Sequence, residues 1–158
     1  MAEFETSGGV LDGILAVTHP KLYDAAVAVA EAIWNKGGPS HAVMEAWPTC
    51  FSSIQVIANR ETPRHRDRSG LPGWLDLLLT LGSYGENGVL ELRNLGVCLP
   101  YDAGSVAMVS GRIVVHAVPK VPGARICYAC YMNKHVLQRF NVPNPGMATV
   151  QSLRPERK

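Results

Sequence analysis

Ser105-Val106-Ala107-Met108-Val109-Ser110, then Gly111-Arg112, then Ile113-Val114-Val115-His116-Ala117, is the stretch that decides the fold class. Two short apolar runs, rich in β-branched residues and parted by a glycine, read as consecutive strands. Asp102-Ala103-Gly104 supplies a turn before them and Val121-Pro122-Gly123 one behind. Working outward, the same pattern recurs at Ser53 to Ala58, Leu75 to Leu81, Val89 to Leu92, Val97 to Tyr101 and Arg125 to Met132. Asn87-Gly88 is a strong hairpin signal between two of these runs. Before Phe51 the period changes. Leu22 to Lys36 carries apolar residues at Leu22, Ala26, Val29, Ala30 and Ile33, the spacing of one helix face, and Gly37-Gly38-Pro39 ends it. A second, short helix is expected over His41 to Ala46. A helix followed by many evenly spaced strands predicts a mainly β (α+β) fold, a double-stranded β-helix or jelly roll with an N-terminal helical buttress.

The 158 residues suffice for one core and are too few for two, so a single domain over 1–158 is expected. Within it, about 1–50 would be helical support, 51–140 the jelly-roll core, and 141–158 a loosely ordered tail rich in Pro, Gly and charge. No apolar run reaches the eighteen residues a membrane span needs. The acidic start, Met1 to Gly9, does not read as a signal peptide. Four cysteines (Cys50, Cys98, Cys127 and Cys130) fit reduced intracellular thiols better than a disulfide framework. The net charge of +2 says little by itself, but Arg60, Arg64, Arg66 and Arg68 crowd one short segment. Such a basic rim points to a polyanionic substrate.

The same segment holds His65-Arg66-Asp67. In a strand, residues two apart project to one side, so His65 and Asp67 would point together and Arg66 away. His116 closes the apolar run Ile113-Val114-Val115, where an imidazole needs a reason. Two histidines and one carboxylate hold a non-haem Fe(II) on one face and leave the opposite positions open. Arg125 follows nine residues on, within the otherwise uncharged run to Tyr131. A buried guanidinium there needs an anion, and the far carboxylate of 2-oxoglutarate would match its planar fork. Cys127 should share the face of Arg125 and line the same end of the pocket. Each piece alone has a bland reading: a chance triplet, a hydrogen-bonded core histidine, a surface ion pair worth under about 1 kcal/mol. Their joint order points to a metal.

Other motifs fail. His65-Arg66-Asp67 spells a kinase triplet, but Pro72 stands where that motif needs Asn. Cys127 and Cys130 lack a second pair and face opposite sides of a strand, so they read as core. His19, His41 and His135 have no ligand-like partners at useful spacing and suit helix ends or surface.

Asn59-Arg60-Glu61-Thr62-Pro63-Arg64-His65-Arg66-Asp67, followed by Trp74-Leu75-Asp76-Leu77-Leu78-Leu79-Thr80-Leu81-Gly82, resembles the fungal branch of the TET/JBP oxygenases. Tyr101 to Val106, Gly111, His116, Gly123, Arg125 and Tyr128 to Met132 are similar to the same group, and the likeness runs from Gly13 to Pro143. These are Fe(II)- and 2-oxoglutarate-dependent dioxygenases of methylated bases in nucleic acid. The resemblance implies that His65, Asp67 and His116 are the catalytic iron ligands and Arg125 binds 2-oxoglutarate. It implies Asn59 as a further polar group in that pocket. The implied partners are O₂ and methylated DNA with its base flipped from the stack, at a cost of a few kcal/mol; Arg60, Arg64, Arg66 and Arg68 would clamp phosphates. The leading expectation is oxidation of 5-methylcytosine to 5-hydroxymethylcytosine and beyond. N6-methyladenine demethylation, thymine hydroxylation, or hydroxylation of a small molecule or protein are alternatives on the same scaffold. A non-catalytic jelly-roll binding module is the rival from another class. The stretch read here has no counterpart of the cysteine-rich zinc-binding region of animal TET enzymes, so the resemblance does not extend to that region's part in holding duplex DNA or reading methyl-CpG. No protein partner is implied. Nuclear placement is expected from the DNA substrate alone, since Arg154 to Lys158 is too sparse for an import signal.

Overall fold

The structure, a computed structural model, describes residues 2–147 and 149. The chain divides into two compact units, one of residues before Ser53 and from Met132 onward, the other Ser53–Tyr131.

The second unit is the β-structure. Its strands are β1 (Ser53–Ala58), β2 (Thr62–His65), β3 (Asp76–Gly82), β4 (Val89–Leu92), β5 (Val97–Pro100), β6 (Val106–Val109), β7 (His116–Val118) and β8 (Arg125–Tyr131). They form two four-stranded sheets, ordered β1-β8-β3-β6 and β2-β7-β4-β5, with antiparallel pairing throughout. The expected jelly roll is the fold the chain adopts. Leu90, Leu92 and Val118 from one sheet meet Val109, Leu78 and Ala107 from the other, with Tyr101 among them. Burying such side chains contributes roughly 1.5–3 kcal/mol each and holds the sheets face to face.

Three strand expectations are corrected. Asn87-Gly88 closes no hairpin, because β3 and β4 lie in different sheets. Its residues serve the crossing instead. Asn87 Nδ2 donates to the Tyr84 carbonyl at 2.8 Å, and the Gly88 carbonyl accepts from Tyr101 N at 2.9 Å. The true hairpin joins β4 to β5 through a short 3-10 turn, Arg93–Leu95, closed by left-handed Gly96. The run Ile113-Val114-Val115 is not strand either: the amides of Ile113 and Val114 both donate to the Ser110 carbonyl, and the turn they make lets His116 open β7 rather than end a strand. Finally, β2 stops at His65, so Asp67 lies beyond the strand.

The other unit is helical, with α1 (Ala2–Thr18), α2 (Pro20–Asn35), α3 (Pro39–Glu45) and α4 (Lys134–Arg139). α2 is the expected amphipathic helix and buries Leu22, Ala26 and Val29. Its N-cap is His19, buried, which accepts from Leu22 N through Nδ1. α1 falls within the helical support expected over about 1–50, though no particular helix is read there. Gly8, Gly9 and Gly13 lower its intrinsic propensity, so tertiary packing carries it. Leu11 and Leu15 are fully buried, Asp12 accepts from Cys50 N at 2.9 Å, and a side chain at Gly8 would collide with the Pro48 carbonyl. The His41 ring packs at a tilt against Trp34, with centroids 3.8 Å apart, and His135 sits at the start of α4, so both histidines lie where the sequence reading puts them. After α4 no helix or strand occurs over 142–147, and the remainder of the expected tail, 148 and 150–158, lies outside the described residues apart from residue 149. Among the described residues, no helix is long and apolar enough to cross a membrane.

A Cβ at Gly88 would overlap the Tyr101 carbonyl and press on the Tyr84 ring. Gly88→Ala is therefore expected to cost about 1–3 kcal/mol in urea unfolding, as overpacking does. An unchanged midpoint would show that the crossing has room to spare.

Candidate metal centre and its pocket

His65 and His116 are directly opposite in the β2–β7 ladder, with ring centroids 4.3 Å apart. Each ring has Nδ1 against a carbonyl, His65 on Pro63 O at 2.9 Å and His116 on Val114 O at 3.0 Å. A carbonyl only accepts, so Nδ1 carries the proton and Nε2 presents a lone pair. Both Nε2 atoms face the Asp67 carboxylate, at 3.3 Å from His65 and 3.8 Å from His116. One donor atom from each of the three lies within 4.8 Å of the others. Three lone-pair donors aimed at one point repel unless a cation sits among them. Two imidazoles and a carboxylate are the donor set of Fe(II) oxygenases, and they fit that ion.

The reason for this convergence differs from the strand alternation read in the sequence. Asp67 is outside β2 and is aimed by its backbone, whose N–H donates to Gly111 O at 2.9 Å. Gly111 lies between β6 and β7, and its lack of a side chain matters: a Cβ there would strike both the Asp67 and Asp76 carboxylates.

Beside the triad lies a cavity of about 110 Å³, against the roughly 10–15 Å³ that one water needs, so it has room for a small molecule. The β8 residues Arg125, Cys127, Ala129 and Tyr131 line it in strict alternation. Arg125 is only 2% exposed, and its Nε and Nη1 have no hydrogen-bond partner. Its Cζ lies 5.5 Å from the Tyr101 ring centroid. A buried guanidinium with two idle donors is suited to an anion, and its planar fork matches a carboxylate. Cys127 is buried on the same face, 3.6 Å from Tyr101 Oη, and burial raises its thiol above the ordinary range.

Asn59 is not where the sequence reading puts it. It does not line the cavity; at φ 53° it turns the chain after β1 and grips Arg125 by the backbone. Its Oδ1 accepts from Arg125 N at 2.9 Å and its own N–H donates to Arg125 O at 2.8 Å. Asn tolerates that left-handed backbone, and the two bonds fix where the guanidinium emerges. Arg60, Arg64, Arg66 and Arg68 are all exposed. Arg64 is paired with Glu91 at 3.5 Å, which diverts part of the cluster from an outside anion.

Asp76 reads in the sequence only as part of an apolar strand. It is buried in the cavity wall and accepts from Gly111 N at 3.1 Å. Burial first, and the neighbouring Asp67 charge second, raise its pKa to about 7 against the pull of the Gly111 N–H. The available signal was a carboxylate opening the run Leu77-Leu78-Leu79, expensive unless it has a task. Gln55 and Tyr131, also in the cavity wall, carry no comparable mark.

Residues 1–134 match the Tet_JBP family model, described as the oxygenase domain of the 2OGFeDO superfamily. The fold is similar to that of NgTET1 solved in complex with 5mC DNA, with TM-score 0.63 and 15% sequence identity over 94% of this chain and 54% of that one. At that identity the likeness speaks for the fold. The chain spans about half the length of this relative. No curated protein matches it significantly in sequence.

Replacing Arg125 by Met removes an unpaired buried charge at similar volume. The metal-free protein should melt at an unchanged or higher temperature. 2-Oxoglutarate affinity of the metal-loaded protein should fall by about 2–5 kcal/mol in calorimetry. Undiminished binding would place the co-substrate elsewhere.

Proposed function

We propose that this chain, which belongs to the Tet_JBP family of 2-oxoglutarate- and Fe(II)-dependent oxygenase domains, oxidises the methyl group of 5-methylcytosine in DNA to 5-hydroxymethylcytosine and beyond. The observation that carries the enzyme class is the His65–Asp67–His116 cluster beside the idle Arg125 guanidinium. The choice of base is our reading; what supports it is that the fold relative was solved with 5mC DNA.

In this reading His65 and His116 hold Fe(II) through Nε2 and Asp67 holds it through a carboxylate oxygen. Arg125 fixes 2-oxoglutarate by its far carboxylate, with Asn59 steadying the strand beneath it. When bound, Fe(II), 2-oxoglutarate and O₂ supply the oxidising power: one oxygen atom goes to the methyl group, the other to succinate as CO₂ leaves. The protein's share is geometry and dryness. Leu78, Ile57 and Val118 line the cavity and keep water from the reacting methyl. Cytosine must leave the duplex to reach it, and Arg60, Arg66 and Arg68 are exposed cations suited to the flanking phosphates. The nucleus is the proposed site of action only as a corollary of the proposed DNA substrate.

Purified protein supplied with Fe(II), 2-oxoglutarate and defined oligonucleotides should convert 5-methylcytosine, read by nucleoside mass spectrometry. His65→Ala and Asp67→Ala should each abolish conversion. Product from N6-methyladenine or thymine oligonucleotides alone would change the assigned base while keeping the enzyme class. Charge reversal, Arg66→Glu with Arg68→Glu, should weaken duplex binding and reduce the slope of log affinity against log salt by about 0.9 for each phosphate no longer neutralised. An unaltered slope removes both from the DNA surface.

A further inference from the structure

We infer that Asp76 is a positioning residue for the metal ligand Asp67, acting through the backbone of Gly111; this rests on the metal-centre reading above. Asp67 follows the end of β2, so no ladder of its own holds it. Its backbone N–H donates to Gly111 O at 2.9 Å, and Gly111 N in turn donates to Asp76 Oδ2 at 3.1 Å. Asp76 is anchored at the other end: it opens β3, pairs with Val109 of β6 and is 5% exposed. Two hydrogen bonds in series thus run from a ladder-fixed carboxylate in one sheet to a loop ligand beside the other. Gly111 is the necessary middle, since any Cβ there would collide with both carboxylates.

Asp76 does not belong to the group of converging donor atoms, which is His65, Asp67 and His116. That separates it from the ligands. Its burial is costly, and a carboxylate kept at such a place is explained by the acceptor it offers to a buried amide. Remove the acceptor, and Gly111 N is orphaned. The Ser110–Gly111 peptide is then free to turn, which loosens the Gly111 backbone and with it the next peptide, whose carbonyl aims Asp67. Partners that orient metal ligands in this way typically govern metal affinity by roughly ten- to hundredfold.

The test is Co(II) titration of the metal-free full chain, followed by calorimetry and by the d–d absorption of the bound ion. Asp76→Ala should weaken Co(II) binding at least about tenfold and alter the absorption band. Asp76→Asn, which keeps an oxygen acceptor for Gly111 N, should bind within about threefold of the native chain and restore the band, a rescue not expected if the charge itself were needed. Equal affinity in Asp76→Ala, or an Asn variant as weak as Ala, overturns the assignment. Hydrogen exchange on the native, metal-free chain provides a check that needs no variant. The amides of Gly111 and Asp67 should both be protected, and exchange of either at the rate of an open loop also overturns it. A native chain that binds no Co(II) defeats the metal-centre reading and this inference with it. Native binding alongside an indifferent Ala variant defeats the positioning role alone.

Discussion

Three lone pairs pointed at one small volume are the constraint around which the β-unit is arranged. His65 and His116 oppose each other across a ladder, and the carbonyls of Pro63 and Val114 fix both rings with Nε2 inward. Asp67 completes the set only because its own amide is tied to Gly111. Such an arrangement is electrostatically unfavourable by itself and becomes favourable around a cation. The irregular features nearby serve it: the early stop of β2, the turn over Ile113–Val115, and a glycine with no space for a methyl group.

The two sheets divide the chemistry between them. One carries the imidazoles on β2 and β7; the other carries Arg125, with Cys127 and Tyr131 alternating along β8 at its centre. Strand β8 is flanked by β1 and β3, so the guanidinium springs from the most firmly paired strand of its sheet. Asn59 adds two bonds to the same backbone. A cation site and an anion site are thereby held at fixed separation by the interleaved core of Leu78, Leu90, Val109 and Val118. A bifunctional small molecule that chelates at one end and carries a carboxylate at the other suits that pairing of charges in one cavity.

Much of this was legible from residue order. The apolar runs at Ser53–Ala58 and Val89–Leu92 become strands with those bounds, because β-branched and leucine residues alternate between turns. Alternation also placed Cys127 on the face of Arg125. Where reading failed, a longer-range interaction had overruled a local signal. Asn87-Gly88 is ideal for a two-residue hairpin, yet its strands belong to separate sheets. Ile113-Val114-Val115 has high strand propensity but folds as a turn, since His116 has to face His65. α1 was legible only as unspecified helical support, because its glycines obscure the pairing of Leu11 with Leu15. Asp76 hid within a strand pattern, for its importance lies in a hydrogen bond to a residue far along the chain, and periodicity records no such bond.

The three donor side chains differ in their access to solvent: His116 is 7% exposed, His65 38% and Asp67 40%. One arm of the site is embedded, and two stand within reach of the surroundings. An ion held this way would lie open to exchange with bulk solution. Its identity would then follow supply, because nitrogen-oxygen sites bind copper and zinc more tightly than ferrous iron.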